Sequence, residues 1–380
     1  MTPFRSTPTR IQPYFGYRNR SRLKLTARAL RSGKPGFEPA SRIRAFRTMM
    51  AQFASREVAG LAVRLTVEAE GTMLLDHEVV TDGEGYAHFD CALTPEWDLP
   101  EHPRWESVTL SWTNEQGPQA VEAHVLAPGR DGRLAVISDM DDTVIETGIT
   151  GGPRAIARNW HRVLAQLPDE RTAVSGADVF YGALGGGDVL PPGEMRAGKS
   201  VSATRRPFFY VSSSPWNLFS YLVAFMRTKG LPLGPLLLRD WGLNRETFGS
   251  SSHGAHKTDA IRSILEMYPD TRFALIGDDT QGDLPAFAQM VESFPGHVAA
   301  VFLRKAASED FSPEETAGKS AIEAAGVPLW IGESYELGED FLSELGFTPG
   351  GETEQIVRTV DKEPTEADLA AQRSGQENPA

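Results

Sequence analysis

A single cysteine, Cys91, stands in 380 residues, so no disulfide can form within the chain, and the composition fits a reducing compartment. No apolar run approaches the roughly 18 residues of a membrane-spanning helix. The first residues also lack an apolar core followed by a small-residue cleavage site, so a secretory leader is not expected. The expectation is a cytoplasmic protein, at most peripheral to a membrane. Basic charge is scarce: 38 Lys and Arg stand against 51 Asp and Glu, and a net charge of -13 argues against a nucleic-acid binder. What basic charge there is gathers early, with twelve Lys and Arg between Arg5 and Arg47 against one acid, Glu38. Such a segment could lie against anionic lipid, could mimic an organellar presequence, or could merely decorate strand edges and an ordinary helix.

A chain of this length holds about two to three domains. From Arg22 the string RLKLTARAL alternates apolar and polar residues, as a half-buried strand does. Ser41 to Glu57 has Ile43, Phe46, Met50 and Phe53 at helical spacing. Five more alternating runs follow, at 61–69, 73–81, 86–93, 107–112 and 120–127, separated by Gly, Asp and Pro turn signals. Short strands at this spacing predict an all-β sandwich over residues 1–130, of immunoglobulin or transthyretin type. Its histidines, His77, His88 and His124, lie on separate strands, and the region gathers no acid, base or metal-ligand cluster. Packing or partner docking suits it better than chemistry.

The rest of the chain is organised around LAVISDMDDTVIETG, Leu134 to Gly148. Its apolar start reads as a buried parallel strand, and Asp139, Asp141 and Asp142 then crowd the carboxyl end, where open α/β sheets place ligands. Alternation lets Asp139 and Asp141 share one site while Met140 points away. Two such carboxylates repel unless a cation sits between them, and oxygen donors suit a hard ion such as Mg²⁺. A carboxylate can also be a nucleophile toward phosphorus. A metal-binding or turn-forming cluster without catalysis is the alternative.

Three more apolar strands end in polar groups. PFFYVSSS, Pro207 to Ser214, closes on serines, with Ser214 as N-cap and Pro215 at the first position of a following helix. GPLLLRDWG, Gly234 to Gly242, closes on Arg239 and Asp240; Arg239 either binds phosphate or a head group, or pairs with Asp240 to hold the loop. RFALIG, Arg272 to Gly277, is followed by Asp278, Asp279 and Asp283. HGAHKTD precedes a helix predicted over 260–267, and Lys257 near its start sits where the helix dipole disfavours a cation. His253 and His256 lack a third soft ligand beside them and are discounted as a metal site. Helices are expected over 154–167 and 178–184, and the Glu, Thr, Gln and Ser content beyond 349 predicts a disordered tail over 349–380.

In DMDDT the sequence resembles haloacid-dehalogenase-type phosphatases, whose signature is DxDxT. The strings IQPYFGYRNR at 11–20, YVSSSPWNL at 210–218, GPLLLRDWG at 234–242 and GDDTQGD at 277–283 resemble one branch, the actin-patch-type phosphatidate phosphatases. The resemblance covers roughly residues 11–345. It implies an α/β fold with a doubly wound parallel sheet over 131–348 and a small helical cap inserted at about 148–206. It also implies an aspartyl-phosphate mechanism in which Asp139 attacks phosphorus and Asp141 serves as acid and base. Ser212 and Ser213 would bind phosphate and Lys257 would neutralise the phosphoryl group. Mg²⁺ would be held by Asp139, the Asp141 carbonyl and Asp278, with Asp283 a further ligand or a loop anchor. Asp279 and Thr280 depart from the branch's usual Ser and Gly, which puts a third acid near the ion. The implied substrate is phosphatidate, yielding diacylglycerol. A phosphatase of soluble phosphomonoesters and a non-catalytic interaction protein on the same scaffold are the alternatives.

Overall fold

The computed structural model describes residues 7–31, 56–69, 71–130, 132–141, 143–144, 173–189, 203–239, 252–280, 282–306 and 310–345. The helices expected within 41–57 and over 154–167, and the tail beyond 349, lie largely or wholly outside these residues. The last two positions of the first, Arg56–Glu57, form strand β4.

The alternating runs become strands β1 (Arg10–Pro13), β2 (Gly16–Arg18), β3 (Arg22–Arg31), β5 (Ala62–Ala69), β6 (Thr72–Val80), β7 (Tyr86–Ala92), β8 (Arg104–Asn114) and β9 (Gly117–Ala127). They form one all-β region with nine strands in a single hydrogen-bonded sheet: the path β1-β3-β2-β9-β8-β5-β6 holds seven, β4 and β7 pair with β3 beside it, and β2 joins the two groups by pairing antiparallel with β3 and parallel with β9. These strands share one core. Leu23, Leu25, Phe89 and Cys91 from β3 and β7 meet Leu65, Val108 and Leu110 from β5 and β8. Each such buried side chain contributes about 1.5 to 3 kcal/mol.

The early basic residues fold into this region as paired groups. Arg18 is buried and donates to both oxygens of Glu106 at 2.6 and 2.7 Å, and Arg28, also buried, reaches Glu57 and lies over the Tyr86 ring. Arg20, Arg22 and Arg31 face Asp98, Asp90 and Glu115. All five thus have acidic partners within this region.

The second region is a six-stranded parallel sheet. Its strands are β10 (Leu134–Asp139), β13 (Phe208–Pro215), β14 (Leu236–Arg239), β15 (Arg272–Asp278), β16 (Val298–Arg304) and β17 (Leu329–Gly332), in the order β14-β13-β10-β15-β16-β17. Strand alternation feeds two cores. Leu134 and Val136 of β10 pack with helices α1 (Ala177–Gly185) and α2 (Phe219–Thr228) on one face. Ala135 and Ile137 pack on the other with α3 (Ser252–Met267), α4 (Asp283–Ser293) and α5 (Pro313–Ala324). After β10 the chain moves outward to β13 and β14, then crosses back to β15 on the other side of β10. A ligand crevice is therefore expected at the carboxyl ends of β10 and β15.

Helix α1 falls within the stretch expected to be a cap, yet it is a core element. Phe180 and Tyr181 are fully buried, Phe180 stacking on Tyr335 and Tyr181 on Phe208. Beside it the two-residue strands β11 (Asp188–Val189) and β12 (Ala203–Thr204) pair antiparallel, and buried Arg206 donates to the Ala183 and Leu184 carbonyls, closing the helix end. No helix among the described residues is long and apolar enough to cross a membrane.

Candidate active site

The two strands flanking the crossover both end in a carboxylate, Asp139 on β10 and Asp278 on β15. Asp283 joins them from the first turn of α4, after Gly282 takes the chain through φ 79°. One ligand oxygen from each of the three lies within 4.8 Å of the others. Lys257 arrives from α3, its Nζ 2.8 Å from Asp139 Oδ1 and 2.5 Å from Asp283 Oδ1. The helix begins at Ser252 rather than Ala260, so Lys257 sits in its second turn and not ahead of it. Thr143 Oγ1 donates to Asp278 Oδ2 at 2.9 Å and lies 3.2 Å from Asp139 Oδ2, bridging the pair. The Asp278 backbone N–H donates to Asp283 Oδ2 at 3.0 Å, and Thr280 donates its N–H and hydroxyl to Asp278 Oδ1.

All four charged groups are at most 4 % exposed. Burial raises the Asp139 carboxyl well above its ordinary range; Lys257 opposes this, while Asp283, Asp278 and Asp141 add to it. Asp278 rises for the same first reason, with Asp283 next. Burial by itself would lower Lys257, but Asp139, Asp283 and Asp278 outweigh it and hold the ammonium above its usual value. One ammonium among three carboxylates leaves an excess of negative charge that a buried site does not tolerate without protons or a cation. Asp139 Oδ1 is buried and lacks a well-aligned hydrogen bond, although the Lys257 ammonium is close. An all-carboxylate oxygen set of this kind fits a hard divalent ion.

Asp141, half-buried, stands apart from that trio. Its carboxylate accepts from Ser212 Oγ at 2.7 Å and from Ser214 Oγ at 3.1 and 3.0 Å. Its side chain, expected among the metal ligands, is not part of the group that could hold an ion, which is Asp139, Asp278 and Asp283 among the described residues. Ser214 is not the N-cap that the Ser-Pro pair suggests. Strand β13 runs through Pro215, which itself precedes the 3₁₀ turn Trp216–Leu218, and the Ser214 hydroxyl turns to Asp141 instead. Ser213 lies between the two serines, buried. Asp279, expected beside the ion, turns the other way, accepting from the Ala306 N–H at 2.7 Å with Lys305 at 3.8 Å. Arg239 ends β14 in register with Pro215, and it disfavours a proton on His256, whose ionisation is lowered first by burial. Asp142, Asp240 and the His253 side chain lie outside the described residues.

Residues 134–305 match the family described as phosphatidate phosphatase APP1, catalytic domain. The matched segment is less than half of the chain. It contains every residue of the cluster just described, so the match spans the crossover where these groups meet. Phosphatidate phosphatase APP1 of Saccharomyces cerevisiae is 30% identical over 173 residues, which is 45% of this chain and 26% of that protein. An uncharacterized protein of Schizosaccharomyces pombe is 26% identical over 243 residues, 63% of this chain and 36% of that one. The chain thus spans about a quarter to a third of the length of the curated relatives it matches. Among solved structures, a glycoside hydrolase family 2 beta-glucuronidase aligns over 87% of this chain and 31% of its own at 8% identity, with a TM-score of 0.22, too low to carry an argument.

Proposed function

We propose that this chain is a magnesium-dependent phosphatase that hydrolyses phosphatidate to diacylglycerol and phosphate. The observation that carries it is the buried Asp139, Asp278, Asp283 and Lys257 constellation at the crossover of a domain matched to the APP1 catalytic family. The substrate comes from the activity named for the yeast relative.

In this reading an Asp139 oxygen attacks phosphorus, forming an aspartyl-phosphate as the bond to the glycerol oxygen breaks, and Asp141 supplies the proton that the departing alkoxide needs. Water then attacks the same phosphorus, giving a proton to Asp141 as the bond from phosphorus to Asp139 breaks, and phosphate leaves with the Asp139 carboxylate restored. Ser212 and Lys257 hold phosphoryl oxygens, Lys257 offsetting their charge. Asp139, Asp278 and Asp283 would hold Mg²⁺, which when bound offsets the repulsion between the nucleophile and the incoming anion. Arg239 is a candidate contact for the substrate beyond its phosphate.

The test is phosphate release from phosphatidate in mixed micelles beside a panel of soluble phosphomonoesters, with Mg²⁺ or chelator and with Asp139→Asn. Metal-dependent preference for phosphatidate, abolished in Asp139→Asn, is expected; activity surviving in that variant removes Asp139 as nucleophile. A second reading, a soluble phosphomonoester as substrate, is favoured by the acidic partners already held by Arg18, Arg20, Arg22, Arg28 and Arg31, which weaken the case for a free basic face toward lipid. Preference for a soluble ester in the same assay would select it.

A further inference from the structure

A serine hydroxyl has one proton to give. Ser212 gives its proton to Asp141 Oδ2, and its Oγ meanwhile accepts the Ser214 backbone N–H at 2.9 Å. Taking the phosphatase reading as the premise, Ser212 must turn that proton to a phosphoryl oxygen when substrate arrives, and Asp141 then loses the donor on Oδ2. Ser214 has no such competing demand. Its Oγ lies 3.1 and 3.0 Å from the two Asp141 oxygens, and it is 1 % exposed.

We propose that Ser214 is a positioning residue for Asp141 in the loss of the alcohol. With Ser212 withdrawn, the Ser214 hydroxyl, which reaches both oxygens, is the donor left to take Oδ1 and fix the carboxyl plane. Oδ2 is left as the oxygen that carries the acidic proton. That proton passes to the alkoxide as its bond to phosphorus breaks and the bond from Asp139 forms, leaving Asp141 ionised to accept the proton of the incoming water. Ser212 thereby couples the two events: the hydrogen bond it gives Asp141 is the one the phosphate takes.

The readout is kcat/KM of the full chain with Mg²⁺ on an alkyl phosphate monoester and on 4-nitrophenyl phosphate. The alkoxide needs a proton to leave and nitrophenolate does not, while kcat/KM ends at loss of the leaving group and excludes the shared hydrolysis that follows. Ser214→Ala is expected to lower the alkyl-to-aryl ratio of kcat/KM by about 10- to 100-fold, at the lower end of what a positioned general acid supplies. Ser214→Thr, which keeps the hydroxyl, should restore most of the ratio. Should the alanine variant fold poorly, Ser214→Cys, with a weak donor of similar size, should shift the ratio in the same direction. An equal loss on both esters would assign Ser214 to phosphate binding or packing and overturn the proposal. If the parent chain hydrolyses neither ester and no other phosphomonoester, the phosphatase reading itself fails and the proposal falls with it.

Discussion

Lys257 is balanced against three carboxylates at once, and that balance sets what its removal does. Lys257→Ala leaves Asp139, Asp278 and Asp283 buried with no ammonium among them, and breaking a buried pair from one side costs about 3 to 5 kcal/mol. Urea unfolding in chelator should show a loss of that order, and added Mg²⁺ should recover part of it. Gly277 is equally constrained. A Cβ there would stand 2.5 Å from Asp283 Oδ2, an oxygen pinned by the Asp278 N–H. Gly277→Ala should therefore displace Asp283 and weaken Mg²⁺ binding at least tenfold by titration calorimetry, while the other ligands stay in place. At this scale the acidic residues were legible in the sequence because Asp has no business at the end of an apolar strand without a ligand. Ser214 was not, since Ser-Pro after a strand is also a helix-start signal and only the turn of the backbone decides between them. Nor was the heading of Asp279, which depends on the Ala306 N–H, a neighbour 27 positions away.

Among the elements, strands were easier to read than helices. The buried runs ending at Asp139, Ser214 and Gly277 contain β-branched and aromatic residues, and each forms within a residue or two of its expected span. Helix α3 starts eight residues ahead of its expected span; Gly254 and two histidines imitate a loop in the sequence, yet the turn forms, with Ile261, Ile264 and Leu265 buried further along the helix. Helix α1 falls within the stretch that the resemblance assigns to a cap, whereas Phe180 and Tyr181 find partners on β16 and β13 that no local pattern reveals. Helix α5 has a full capping box, Ser312 Oγ accepting the Glu315 N–H at 3.2 Å and Glu315 accepting the Ser312 N–H at 2.7 Å. Ser312→Ala should cost about 1 kcal/mol in chemical denaturation. It should leave kcat/KM unchanged, since the box makes no contact with the cluster.

Across the whole molecule, the two regions are fastened where β2 meets the parallel sheet. Tyr14 stacks on Trp216 at 4.3 Å, Tyr17 meets Phe209 edge-on at 5.7 Å, and Asn19 donates to the Met267 carbonyl at 2.8 Å. Two histidines sit along this junction, His124 beside Phe15 and His256 on a cavity of about 480 Å³ that Phe15, Tyr17 and Trp216 also line. Burial lowers the ionisation of both, with Arg239 adding to the effect at His256. A folded-state value below the unfolded one means that the unfolded chain binds more protons, so stability is lost as pH falls through about 6.5. The raised carboxyls of Asp139 and Asp278 act in the opposite direction. The measurement therefore compares the parent with His256→Gln in Mg²⁺, and the variant should lose less stability between about pH 7.5 and about pH 5.5.

The same junction limits how freely this protein can be recombined. Tyr268, at the end of α3, donates its hydroxyl to the Arg18 carbonyl at 3.1 Å, and Arg28 reaches across to Asn217 at 2.6 Å. Both reach into segments that also build the site, one on the helix of Lys257 and the other just beyond Ser214. A chimera that exchanges residues 1–130 for those of a relative would carry a foreign face onto both, so shuffling boundaries belong around the Trp216 and Tyr268 contacts rather than in the convenient glycine-rich linker at 129–132.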